Sequence, residues 1–157
     1  MGAENMICGG CQCGAVRYRM ESVSHPSICH CRMCQKAFGN FYAPLATTND
    51  LQWTRGEPKY FKSSDAVTRG FCGDCGTPLT YDWGASAVEI AIATLDDPNL
   101  AAPIKQVNTS DKLDFVDQLH ALPVREDSDD NLTFMGNLKS HQHPDHDTDQ
   151  WPPENSK

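Results

Sequence analysis

The chain has 157 residues, enough for one domain with a single core, and sets 13 Lys plus Arg against 21 Asp plus Glu for a net charge of −8. That balance repels phosphate backbones and anionic membrane surfaces, and the basic residues form no stripe, so nucleic acid is excluded as an expected partner. No apolar run is long enough to cross a bilayer, and Met1 to Met6 lacks the pattern of a secretory signal; the expected setting is the cytoplasm, where thiols stay reduced.

The first element expected is a strand. After the turn Gly9-Gly10-Cys11-Gln12-Cys13-Gly14, the residues Val16, Tyr18 and Met20 alternate with Arg17 and Arg19, the period of two of a half-buried strand. Ser22 to Ser27 has turn composition. Gln35 to Gly39 reads as one helical turn closed by glycine, and Phe41 to Thr47 as an extended segment that Pro44 assigns to a sheet edge or a bulge.

Leu51-Gln52-Trp53 and Lys59-Tyr60-Phe61 read as a hairpin around Arg55-Gly56-Glu57-Pro58. Val67 to Phe71 leads into the Cys72–Gly76 knuckle, and Leu79 to Tyr81 and Val88 to Thr94 follow as strands, the last closed by a turn at Asp96-Asp97-Pro98, with one more short strand at Ile104 to Val107. Trp53, Tyr60, Phe61, Tyr81 and Trp83 are expected on strand faces and in the core rather than as a stacking platform. The class is mainly β with short antiparallel strands, a domain over residues 1–125, and a polar, flexible tail over 126–157. There His141, His143 and His146 are expected to be solvated.

Seven of the eight cysteines fall into three clusters. Cys72 and Cys75 form a glycine-flanked knuckle, and with Cys11 and Cys13 they supply the four corners of a closed tetrahedral zinc site, whose job would be structural. Cys29, Cys31 and Cys34 supply three thiolates and no evident fourth ligand, the signature of a zinc that keeps one exchangeable position. In an extended Cys-His-Cys run the His30 side chain points away from the two sulfurs. The alternatives are His30, Cys8 or a distant residue as a fourth ligand to a purely structural zinc, a disulfide framework, or an iron–sulfur cluster. Cys8 is most simply a free thiol. Three thiolates make zinc a weak Lewis acid for water but a good partner for a soft sulfur donor, which points to thiol chemistry.

These motifs, GGCQCGAVRY from Gly9, CHCRMCQKA from Cys29 and SSDAVTRGFCGDCGTPLTY from Ser63, resemble the glutathione-dependent formaldehyde-activating enzyme family, which includes centromere-protein-V-like proteins, over about Gly9 to Pro123. Leu95 to Pro98 and Leu122-Pro123 are weaker matches. The resemblance implies an Mss4-like fold with two zinc ions, one structural on Cys11, Cys13, Cys72 and Cys75, one catalytic on Cys29, Cys31 and Cys34. It implies the addition of glutathione to formaldehyde, a carbon–sulfur lyase activity, with a small thiol and a small aldehyde as partners.

Gln106, Phe115, His120 and Phe38 depart from the family's pattern, and Phe38 is expected to narrow the pocket. Arg69, Ser63 and Ser64 match the family and are candidates to bind a carboxylate of the thiol; on the residues alone a surface turn with an ion-paired arginine is the preferred explanation. The alternative to an enzyme is a non-catalytic zinc-stapled module that binds a partner or carries a thiol adduct.

Overall fold

The computed structural model describes residues 6–152; the reading of Met1 to Met6 as no signal lies almost wholly outside them. Ten short strands run in chain order as β1 (Ile7–Gly10), β2 (Arg17–Met20), β3 (Ser24–Cys29), β4 (Ala43–Thr48), β5 (Gln52–Arg55), β6 (Lys59–Lys62), β7 (Thr68–Phe71), β8 (Pro78–Asp82), β9 (Val88–Ala91) and β10 (Lys105–Val107). Two helices, α1 (Arg32–Phe38) and α2 (Asp129–Asn137), and short 3-10 turns complete the described residues. No described helix is long and apolar enough to cross a membrane.

The strands form a three-stranded sheet, β1-β2-β5, and a seven-stranded sheet in the order β10-β3-β4-β9-β8-β7-β6. All pairings are antiparallel except β10 with β3, which is parallel. The class is mainly β as expected, with this one mixed edge.

The two sheets meet through period-two alternation. Tyr18 and Met20 from the small sheet pack with Ala46, Leu79 and Ile90 from the large one, all fully buried. The Tyr18 ring meets Trp53 edge-on at 5.9 Å and its hydroxyl pairs with that of Thr94 at 2.7 Å, so the polar tip of a buried aromatic is satisfied.

Several expectations are corrected. The hairpin around Arg55 to Pro58 does not form: β5 joins β2 and β6 joins β7, in different sheets. Packing of Trp53 on Tyr18 draws β5 to the small sheet, so tertiary contact overrides turn chemistry. β4 lies inside the large sheet despite Pro44. Pro44 stands opposite Ile28 of β3, and the pairing of β4 with β9 begins only at Leu45, so on the β9 side no partner strand runs beside the proline. Ser24 to Ser27 belongs to β3 rather than to a turn. Tyr60 and Phe61 are exposed because β6 is the uncovered edge strand.

Arg17 does not point to solvent. It is buried, with Nη1 and Nη2 donating to the two carboxylate oxygens of Asp96 at 2.7 and 2.6 Å, and Nη2 also to Asp147 at 2.7 Å. Asp147 belongs to the C-terminal segment, and His143 is likewise buried rather than solvated. The His143 amide donates to the Gln12 carbonyl at 2.7 Å, its ring packs edge-on against Trp151 at 5.1 Å, and it lies so close over Gly14 that a Cβ there would fall 2.3 Å from its Cδ2. The segment's composition suits solvent, but its aromatic contacts land on the turn that carries Cys11 and Cys13, and its charged contact on Arg17 at the start of β2. All residues of α2 are at least partly exposed.

Candidate metal centres

The seven clustered cysteines come together as two groups, Cys11, Cys13, Cys72 and Cys75, and Cys29, Cys31 and Cys34, each with sulfurs within 4.8 Å of one another. A tetrahedral zinc with sulfurs at about 2.3 Å needs sulfur–sulfur edges of about 3.8 Å. In the first group Cys11 lies 3.6 Å from Cys13 and Cys13 3.8 Å from Cys72, so the set fits such an ion. Cys8 and His30 stand outside both groups.

The first group joins two sheets. Cys11 and Cys13 sit in the turn between β1 and β2, and Cys72 and Cys75 in the turn between β7 and β8. Backbone amides converge on it: Val16 donates to the Cys11 sulfur at 3.2 Å and Asp74 to that of Cys72 at 3.4 Å. Burial pushes the Cys11 and Cys13 thiols up. It opposes ionisation of Cys75 too, but hydrogen bonds from the Thr77 hydroxyl and amide bring that thiol down to about 6.

The second group is built where β3 ends. Cys29 closes β3 between β4 and β10, the His30 amide donates to the Val107 carbonyl at 3.0 Å, and Cys31 caps α1 by accepting from the Cys34 amide at 3.4 Å. Helix α1 starts earlier than the turn expected from Gln35 and ends at Gly39, whose φ of 56° is the left-handed conformation that glycine tolerates. Buried Gln35 braces the turn, donating to the carbonyls of His30 at 2.7 Å and Asp111 at 2.9 Å. His30 is fully buried; its Nε2 pairs with Gln106 at 3.0 Å, and its Nδ1 has no partner among the described residues.

Two side chains donate to these sulfurs. Asn108 reaches Cys29 at 3.2 Å from a left-handed backbone, φ 51°, and Arg69 Nη2 reaches Cys34 at 3.4 Å. Hydrogen bonding from the Cys34 thiol, with Asn108 adding to it against the cost of burial, holds Cys29 down at about 5, while the same contact and burial push Cys34 up. The three sulfurs line an open cavity of about 260 Å³, with Tyr81, Trp83 and Glu89 on its other walls.

Of the three candidate carboxylate ligands, Arg69 and Ser63 come together and Ser64 does not join them. Arg69 Nε donates to the Ser63 hydroxyl at 3.1 Å and the guanidinium lies over the Tyr81 ring at 4.9 Å. Its Nη1 is buried with no partner among the described residues. Ser64 instead accepts from the Val67 and Ala66 amides, a turn-forming role. Phe38 packs beneath the cysteine cluster without lining its cavity, and Phe115 stacks edge-on with Phe41 at 5.0 Å. Asn108 and Glu89 were not among the expected site residues. The alternation of Val88, Ile90 and Ile92 does set Glu89 on the opposite face of its strand, but only strand register brings that face to the cysteines.

The fold and the two sulfur clusters define a class: a mainly β protein with one four-cysteine and one three-cysteine centre suited to metal ions. Within that class the chain belongs to the glutathione-dependent formaldehyde-activating enzyme family, whose pattern it matches over residues 6–111, well over half its length and short of Leu122-Pro123. Among solved structures it is similar to the crystal structure of a Rhodobacter sphaeroides protein, at a TM-score of 0.50 and 21% identity, over 64% of this chain and 99% of that one. That likeness shows a shared fold.

Proposed function

We propose that the chain is a zinc-dependent carbon–sulfur lyase-like enzyme that adds a glutathione-like thiol to a small aldehyde such as formaldehyde, or releases it. The observation that carries this reading is the contrast in closure: four sulfurs shut one centre, whereas three sulfurs of the other face an open cavity of about 260 Å³. Cys11, Cys13, Cys72 and Cys75 would hold a structural zinc, and Cys29, Cys31 and Cys34 a second one. Zinc bound by these three thiolates supplies a soft acceptor at which an incoming thiol is kept as its nucleophilic thiolate.

The residues present do the positioning. Asn108 and Arg69 donate to two of the three sulfurs, offsetting the negative charge that three thiolates accumulate. Arg69 lies between Cys34 and a second cavity of about 380 Å³, which Arg32 and Lys36 also line. Its unpartnered Nη1 is a donor for a carboxylate of the thiol, since a buried guanidinium nitrogen without a partner is costly. Ser63 fixes the guanidinium through Nε. Holding thiol and aldehyde together supplies the proximity that a bimolecular addition lacks in solution.

The test is cobalt-substituted protein titrated with glutathione, followed by a turnover assay with formaldehyde read by NMR. The expected result is a new sulfur-to-cobalt absorption lost in Cys31→Ser, together with formation of the hydroxymethyl thioether. A protein whose spectrum ignores thiol would instead be a non-catalytic zinc-stapled module.

A further inference from the structure

On β9, Ile90 is fully buried in the inter-sheet core, and its neighbour Glu89 lines the cysteine cavity. Register aligns Glu89 with Tyr81 on β8 and Thr47 on β4, and Tyr81 with Arg69 on β7, so one cross-strand row leads to the cysteine cavity. Among the described residues, Glu89 is the one carboxylate that lines that cavity. It sits on an interior strand, half-buried, and no hydrogen bond or ion pair from a described residue reaches it. A carboxylate in that position without a protein partner costs stability, which an architectural role would not require.

Burial raises its pKa above the ordinary value, the Cys29 charge adds to the rise, and Lys105 opposes it. Of the other groups facing the cavity, Asn108 has no proton to release, and burial, with the Cys34 charge, raises Tyr81 further from neutrality.

We propose that Glu89 is the catalytic proton carrier of this cavity, giving its proton to the aldehyde oxygen as the sulfur–carbon bond forms. The assignment rests on the activity read above. The thiolate lone pair makes the S–C bond, the carbonyl π pair moves to oxygen, and that oxygen takes the Glu89 proton. The carboxylate left behind is reprotonated by the S–H of the next thiol, so the cycle needs no further reactant. In reverse, the carboxylate takes the hydroxyl proton as the S–C bond breaks.

The experiment pairs Glu89→Gln with the wild type, both loaded with zinc. E89Q should keep two metals and bind glutathione to the cobalt form with unchanged affinity, while turnover falls by about 100-fold or more, the range of a lost general acid. The pH profile of wild-type turnover should carry an ionisation, assignable to the proton carrier, that E89Q lacks. E89Q turning over within about threefold of wild type, or keeping the wild-type pH profile, overturns the assignment. A wild type that binds thiol but never forms the adduct overturns the activity itself.

Discussion

The two cysteine centres use the same atom type to opposite ends. The four-cysteine centre takes its ligands from two turns 59 residues apart, Cys13 to Cys72, and ties the small sheet to the large one. Its sulfurs accept mainly from backbone amides. The three-cysteine centre draws all its ligands from six consecutive residues and sits on one sheet. Side chains donate to it, Asn108 and Arg69, and one side is open. Ligands distant in sequence staple a fold, whereas ligands near in sequence leave the surroundings free to form a cavity.

The largest effect should come from breaking that contrast. Cys72→Ser is expected to lose the metal of the closed centre and with it the cooperative fold. Structural zinc contributes about 10–16 kcal/mol in small zinc peptides, as much as the whole stability of a domain, about 5–15 kcal/mol. Cys31→Ser should lose only the other metal and keep its sheets. Metal content and thermal unfolding by circular dichroism decide it; equal destabilisation by the two substitutions would sink the distinction.

A second expected effect lies near the closed centre. Arg17 is buried and bidentate to Asp96, whose side chain is 16% exposed, so Arg17→Met strands a largely buried carboxylate at a cost of about 3–5 kcal/mol. The Arg17–Asp147 pair adds little, because Asp147 is 54% exposed and screened by solvent. Denaturant unfolding measures the total, and a loss below about 1 kcal/mol would show that the ion pair is not what joins β2 to the Asp96 turn.

Why these residues differ in legibility follows from the distances over which they are determined. The two cysteine groups could be read from spacing, because CxC and CxxC turns bring sulfurs together by local geometry. Counting ligands then assigned Cys11 and Cys13 to Cys72 and Cys75. The alternation of Val16, Tyr18 and Met20 likewise announced the inter-sheet core. Arg17 could not be read, since its partners Asp96 and Asp147 lie 79 and 130 residues away. Nor could the split of β5 from β6, which depends on Trp53 finding Tyr18, or the approach of Glu89 and Asn108 to the cysteines, which depends on register across β3, β4, β9 and β10. Composition alone misread His143, because one docked histidine changes nothing in the average polarity of its segment.

At the open centre, Asn108 is one of two side chains that donate to the sulfurs. Asn108→Gly preserves the left-handed backbone while removing the donor to Cys29, and it should raise that thiol from about 5. A metal ligand must be deprotonated, so a higher pKa means release at higher pH. The pH of half-release at the open centre should rise by about one unit, the scale of one hydrogen bond to a charged group, with the closed centre unchanged. Metal release followed with a chromophoric chelator reads both centres, and an unshifted open centre would remove Asn108 from its tuning.

The smallest effect concerns the segment that covers the turn of the closed centre. His143 Nδ1 donates to the Pro144 carbonyl at 2.7 Å, leaving Nε2 to accept from Arg55 at 3.3 Å and from the Thr148 hydroxyl at 2.9 Å, which suits the neutral ring. Burial lowers its pKa from the ordinary 6.5, and the nearby Arg17 and Arg55 charges lower it further against the opposing Pro144 bond. The undocked segment therefore binds more protons than the docked one just below 6.5. Docking is then fully favoured above that pH and weakens as pH falls through it, levelling off below the docked value. The Arg17–Asp147 bond fails only in stronger acid, because Asp147 is lowered from 3.8 and its contribution is lost as pH falls through the docked value. Hydrogen exchange of residues 140–152 should thus quicken between pH 7 and 5.5, after correction for the intrinsic rate, while the strands carrying Cys11 and Cys72 stay protected. His143→Leu should abolish the pH step. A step that survives this substitution would place the responsible group elsewhere and leave His143 as packing alone.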